Sequence, residues 1–352
     1  MKPYIYLRAL RHADFTVFCV QDGQKYYWDP QFNVRVPFSS GQQVKRSILT
    51  SITDDLNVLP APTTFVGALD KNKKLSDKEP LSACDPSYVD QLLGGWMKAA
   101  SGGAEKTLKR RSPLSISAMR ALHPLLSGTP TEDISFDRSE HAEHNKVIIK
   151  DASGNELNEE QIEDLIKGTD RSLYRRWIPD NRRASGLFVY DVAIDLRTLF
   201  AVSLNAFERE VSDETIKKLI DAGWKECENV FGKCLVMPKA EREKIIPALA
   251  HALLNWRITS NQARTFSLME TLAVAVSDNA NTLSAAIRSK LIDDGEKPKV
   301  KPIVDANAGA DLYITLPCAG YIVTETESAD AMQKAEQKLI DTMMAFDYEK
   351  QI

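Results

Sequence analysis

At 352 residues, with 43% hydrophobic and 27% charged side chains, the chain can bury a substantial core and falls outside disordered and fibrous compositions. A formal net charge of −4 excludes a uniformly positive coat of the kind that binds DNA without selectivity, so any nucleic-acid site must be local. No run approaches the ~18 apolar residues that cross a bilayer, and Arg8, Arg11 and Asp14 stand where a signal peptide needs an apolar stretch, which predicts a cytoplasmic protein without membrane contact.

Tyr4 to Leu10 and Phe15 to Val20 are rich in β-branched and aromatic residues, and Gln21, Asp22 and Gly23 offer a hairpin turn before Lys25 to Trp28, so the chain opens with strands. After Pro37, Ser39 and Ser40 offer an N-cap, and Val44, Ile48 and Ile52 recur every four residues with Leu49 and Leu56 beside them. That spacing predicts a helix from Gly41 to Leu56. From Pro60 to Gly103, prolines and glycine pairs break every periodic pattern, as in an insertion of short elements. Ser112 to Leu126 has room for a short helix after Pro113.

Thr129 to Thr169 is polar, with a hairpin turn at Ala152 to Asn155 and a small amphipathic helix from Asn158 to Ile166, a composition that suits a projecting loop. Leu187 to Val202 alternates as a long strand, Glu241 to Trp256 is helical, Phe266 to Val276 reads as a strand, and Asp330 to Phe346 as an amphipathic helix. The order of strand, helix, long insertion, strand, helix, strand predicts an α+β chain with an interrupted ferredoxin-like or RRM-like fold.

Two basic islands stand out of this acidic chain. Lys106, Lys109, Arg110 and Arg111 are followed by Arg120, with little acid nearby. Between Lys167 and Arg183, Arg171, Arg175, Arg176, Arg182 and Arg183 are interleaved with Tyr174 and Trp177. Arginines beside aromatics can fork onto phosphates and offer flat faces to unpaired bases, which suits single-stranded RNA. The competing reading is two solvated faces whose aromatics anchor the core.

Other chemistries find little footing. The five cysteines (Cys19, Cys84, Cys227, Cys234, Cys318) form no C-x-x-C pair, and no phosphate-cradling glycine motif or nucleophile elbow occurs. His141, Glu143 and His144 fall one residue short of the H-x-x-E-H zinc pattern and lie in the polar stretch. No metal or other cofactor is expected.

The most informative segment is PFSSGQQVKR, residues 37–46, where a strand runs into a helix. Small hydroxyl residues cap its first turn, whose free backbone N–H groups favour an anion, and Lys45 and Arg46 follow within two turns. This corner resembles the signature of the RAMP superfamily of CRISPR proteins, specifically the guide-RNA-binding backbone subunit of type I Cascade in its DevR-like branch. Residues 258–266 (ITSNQARTF) before a strand, and 109–117 (KRRSPLSIS), are similar to further stretches of that family.

The resemblance implies a modified RRM-like palm with inserted finger and thumb regions. The palm takes residues 1–58 and 187–352, a finger-like insertion 59–128, and a thumb-like insertion 129–186. Copies would stack head to tail along the CRISPR guide RNA, beside other Cascade subunits and a complementary target nucleic acid, without catalysing a reaction. Ser39, Ser40, Gln42, Gln43, Lys45 and Arg46 would contact guide phosphates, Asn261, Gln262 and Arg264 would line the same groove, and Lys109, Arg110, Arg111, Arg175 and Arg176 would add cations. Two alternatives stay open. One is a metal-dependent target-RNA ribonuclease of type III kind, with Asp29 or Asp22 as the catalytic aspartate. The other is an interaction protein with no nucleic-acid role.

Overall fold

A computed structural model describes residues 2–18, 24–77, 79–100, 106–169, 173–258, 267–324 and 326–352. The proposed turn at Gln21 to Gly23 lies outside the described residues. Strand β1 (Tyr4–Thr16) pairs antiparallel on one side with the strand Ala184–Asp195 and on the other with Thr271–Ser277. The sheet continues beyond Ala184–Asp195 through Met119–Ala121 to β3 (Val34–Ser39) and β2 (Tyr26–Asp29), and beyond Thr271–Ser277 to Asp311–Ile314. Two short strands, Leu114–Ile116 and Ser127–Gly128, also pair with Ala184–Asp195.

Helix α1 (Gly41–Asp55) begins at Ser40, whose hydroxyl accepts the Gln43 N–H, and buries Val44, Ile48 and Ile52 completely. Each such side chain contributes about 1.5–3 kcal/mol. Gly41 is dictated by space, since a Cβ there would sit 3.0 Å from the carbonyl oxygen of Ile116. Short helix α2 (Val89–Gly94) follows. Residues Thr129–Arg183 form a compact unit of their own. In it the strands Thr131–Asp137 and Arg175–Arg182 pair antiparallel, and helix α3 (Glu159–Ile166) is closed by a reciprocal cap between Asn158 and Gln161. The other unit adds α4 (Asp213–Asp221), α5 (Lys239–Asn255), α6 (Ala280–Ala286) and α7 (Ala331–Met344).

Strand alternation divides the core. Ile5, Leu7 and Ala9 with Phe188, Tyr190, Val192 and Ile194 share one cluster with residues of α1, α5 and α7. Leu10, Leu187 and Val189 point the other way, into a cluster with Leu283 and Ala286 of α6. Helices on an antiparallel sheet make the chain α+β. Among the described residues no helix is long and apolar enough to cross a membrane.

Two local expectations are corrected. Ser112 to Leu126 is not helical beyond a 3-10 turn at Pro124–Leu126, because Leu114, Ser115 and Ile116 pair with Ile194, Ala193 and Val192. The long strand expected to Val202 stops at Asp195, whose carboxylate accepts the Arg197 N–H and turns the chain. Beyond it, α4 and the hairpin Lys225–Asn229/Gly232–Val236 were not anticipated.

Candidate nucleic-acid interface

The corner between β3 and α1 sorts its six candidate residues into two groups. Gln42 and Arg46 are exposed, and Ser40 and Gln43 are partly so. Ser39 is fully buried and its hydroxyl donates to the Phe18 carbonyl at 3.3 Å, so it cannot meet a phosphate. Lys45 is also turned inward, its Nζ donating to the Gly94 carbonyl at 2.7 Å. Burial, aided by the Arg110 charge, lowers its pKa to about 8.

The reason lies at the end of α2. The last carbonyls of a helix have no donors within it and carry the negative end of its dipole. Here Arg110 donates to the Leu92 carbonyl, the Ser112 hydroxyl to that of Leu93 at 3.0 Å, and Lys45 to that of Gly94. Gly95 then leaves the helix at φ 72, where a Cβ would lie 2.7 Å from the Arg110 carbonyl oxygen. Arg110, expected to contact RNA, is 3% exposed. It also donates to the carbonyls of Thr198 at 2.7 Å and Ala201 at 3.0 Å and lies over the Trp96 ring. Burial lowers its pKa to about 10 despite Glu210 at 3.7 Å. Ser39, Lys45 and Arg110 are thus structural, because buried carbonyls claim their donors.

The remaining candidates are scattered. Lys109 and Arg111 flank Arg110 and are exposed, their side chains without a hydrogen-bond or ion-pair partner among the described residues. On the strand Arg175–Arg182, Arg175 is paired with Asp137 through Nε at 2.8 Å, whereas Arg176 is exposed. Asn261, Gln262 and Arg264 lie outside the described residues. The chain on either side of them is tied to β1: buried Arg11 donates to the carbonyls of Leu254 and Trp256 at 3.0 and 2.9 Å, and His12 donates its N–H to the Glu270 carbonyl. Asp22 lies outside the described residues as well. Asp29 accepts the N–H groups of Gln31 and Phe32 at 3.1 and 2.9 Å, a turn-holding role. His141 and His144 are exposed beside Glu143, and among the described residues no three histidine, cysteine or acidic side chains gather as a metal site would require.

A groove that sequence reasoning missed brings Lys109 and Arg111 together with the chain after Asp195. It has a volume of about 820 Å³ and is lined in part by Tyr4, Arg197, Phe207, Phe231 and Lys233. The Arg197 guanidinium is held by Asp195 at 2.8 Å and lies between the rings of Tyr4 and Phe231, 5.0 and 4.8 Å from their centroids. Phe207 is 96% exposed and Phe231 57%. The one signal available in the sequence is the apolar pair Val230 and Phe231 just before Gly232, at a hairpin tip where polar residues are the norm.

No family model matches the chain, and no curated protein matches it. Among solved structures it is similar to a chain of a "CRISPR RNA-guided surveillance complex, pre-nicking", at 10% identity and a TM-score of 0.44, covering 96% of this chain and 89% of that one. A chain of a "CRISPR RNA-guided surveillance complex" is similar at 13% identity and a TM-score of 0.41, covering 97% and 98%. The chain is thus similar, over nearly all its length, to chains found in CRISPR RNA-guided surveillance complexes.

Proposed function

We propose that this chain is a non-catalytic, cytoplasmic subunit that binds CRISPR guide RNA and stacks in several copies along it. The observation that carries the reading is the β3–α1 corner. There a capped helix start presents Ser40, Gln42, Gln43 and Arg46 at the surface, and these are residues that the family resemblance assigns to guide phosphates. The sheet order Thr271–Ser277, β1, Ala184–Asp195, Met119–Ala121, with α1 and α5 in one cluster, supports reading the core as a ferredoxin-like palm. Thr129–Arg183 is read as the thumb-like insertion. Cleavage through Asp29 gains nothing from its geometry, since the carboxylate already holds a turn.

The test is retention of single-stranded RNA by the full chain, followed by the absorbance ratio at 260 and 280 nm and by anisotropy titration across salt. Gln42→Ala with Arg46→Glu is expected to weaken binding about tenfold or more and to flatten its salt dependence. Undiminished binding by that variant would overturn the assignment of the corner.

A further inference from the structure

We infer that the groove between Leu108–Arg110 and the hairpin Lys225–Val236 is a second single-stranded nucleic-acid site, with phosphates on Lys109, Arg111 and Lys233 and a base stacked on Phe231. It shares none of its lining residues with the β3–α1 corner, and it rests on the proposed function only for the class of ligand.

Charge is the first argument. Lys109, Arg111 and Lys233 are exposed, and their side chains make no hydrogen bond or ion pair among the described residues. Glu228, directly across the hairpin from Lys233, makes no ion pair with it. The groove's carboxylates are mostly spent: Asp195 holds Arg197, and Glu210 sits beside Arg110 while accepting the Ser203 N–H at 2.8 Å. Among the described residues that line the groove, Glu208 is the one acid without a cation. The rim therefore presents a positive surplus inside an acidic protein, which draws a polyanion to one place.

Shape is the second, and it separates a nucleic acid from an acidic peptide. Tyr6 stacks on Tyr4 with ring centroids 5.7 Å apart and planes 17° from parallel. Arg197 lies between Tyr4 and Phe231, donating to the Tyr4 hydroxyl at 2.8 Å. Arg197 thus lies against the Phe231 ring, which remains more than half exposed. A base continues such a stack, whereas a peptide has no flat repeat to match it. Phe207, almost wholly exposed on the same groove, offers a second ring. A volume of about 820 Å³ admits a guest of nucleotide size.

The experiment uses the full chain, fluorescein-labelled oligouridine for affinity and 4-thiouridine RNA for photocrosslinking. Phe231→Ala is expected to weaken binding about fivefold or more. Replacing Lys109, Arg111 and Lys233 together by alanine should lower the slope of log affinity against log salt by roughly 2. Crosslinks should fall within residues 205–233 and persist in Arg46→Glu. Unchanged affinity and slope, crosslinks confined to other segments, or displacement of the RNA by polyglutamate more readily than by unlabelled RNA would each overturn the inference. If Arg46→Glu abolishes the crosslinks here too, the groove is not an independent site, while the corner stands. If the wild type binds no RNA, both fail.

Discussion

Replacing Lys45 with methionine separates a structural lysine from an RNA-binding one. Its pKa falls from 10.5 to about 8 in the folded chain, so folding carries a penalty that is fully present below about pH 8. Between the two values the unfolded chain holds a proton that the folded chain has released, and stability therefore rises with pH. Linkage, discounted for solvent screening of this partly exposed group, puts the gain from pH 7 to 9.5 at about 1–2 kcal/mol. Lys45→Met has no such proton and should lack that gain. At pH 7 it loses the bond to Gly94, worth roughly 1.5–3 kcal/mol, but also escapes the charge-burial penalty, so its net stability there should change little. Urea unfolding of both proteins at the two pH values reads the difference directly. Parallel pH dependence in wild type and variant would refute the inward lysine, and so would a loss of RNA affinity in Lys45→Met as large as that of Arg46→Glu.

Two further outcomes follow from the buried charges. Arg110→Ala should cost roughly 3–5 kcal/mol by urea unfolding, because it strips donors from the carbonyls of Leu92, Thr198 and Ala201 and leaves Glu210 without its cation. Asp191 sits in partial burial, which alone would raise its pKa, but Arg8 at 2.6 Å and Arg120 at 2.8 Å outweigh that and hold it low. Its stabilisation is therefore present above the ordinary carboxylate value and is lost as pH falls through the lowered one. Asp191→Asn should be roughly 3 kcal/mol less stable at pH 7, and thermal melts should show the gap closing below about pH 4.

Helices α1, α3, α5 and α7 were legible from the chain alone because their signals are local, whereas α2, α4 and α6 were not. Ser40 followed by Val44, Ile48 and Ile52 marks α1 within one residue of its end, and the amphipathic stretch from Asn158 to Ile166 marks α3. The sheet was less so: Leu114 to Ile116 becomes a strand only because the Ala184–Asp195 edge is there to pair with it. The site divides along the same line. Sequence by itself determined that the β3–α1 corner and residues 106–111 carry hydroxyls and cations suited to an anion. Only the tertiary structure decided which of these face water. Three unsatisfied carbonyls at the end of α2 draw in Lys45, Arg110 and Ser112, and Phe18 draws in Ser39, leaving Gln42, Arg46, Lys109 and Arg111 outside. A buried carbonyl without a donor costs free energy, so nearby long side chains turn inward to supply one, and no spacing along a chain reveals where those carbonyls end up.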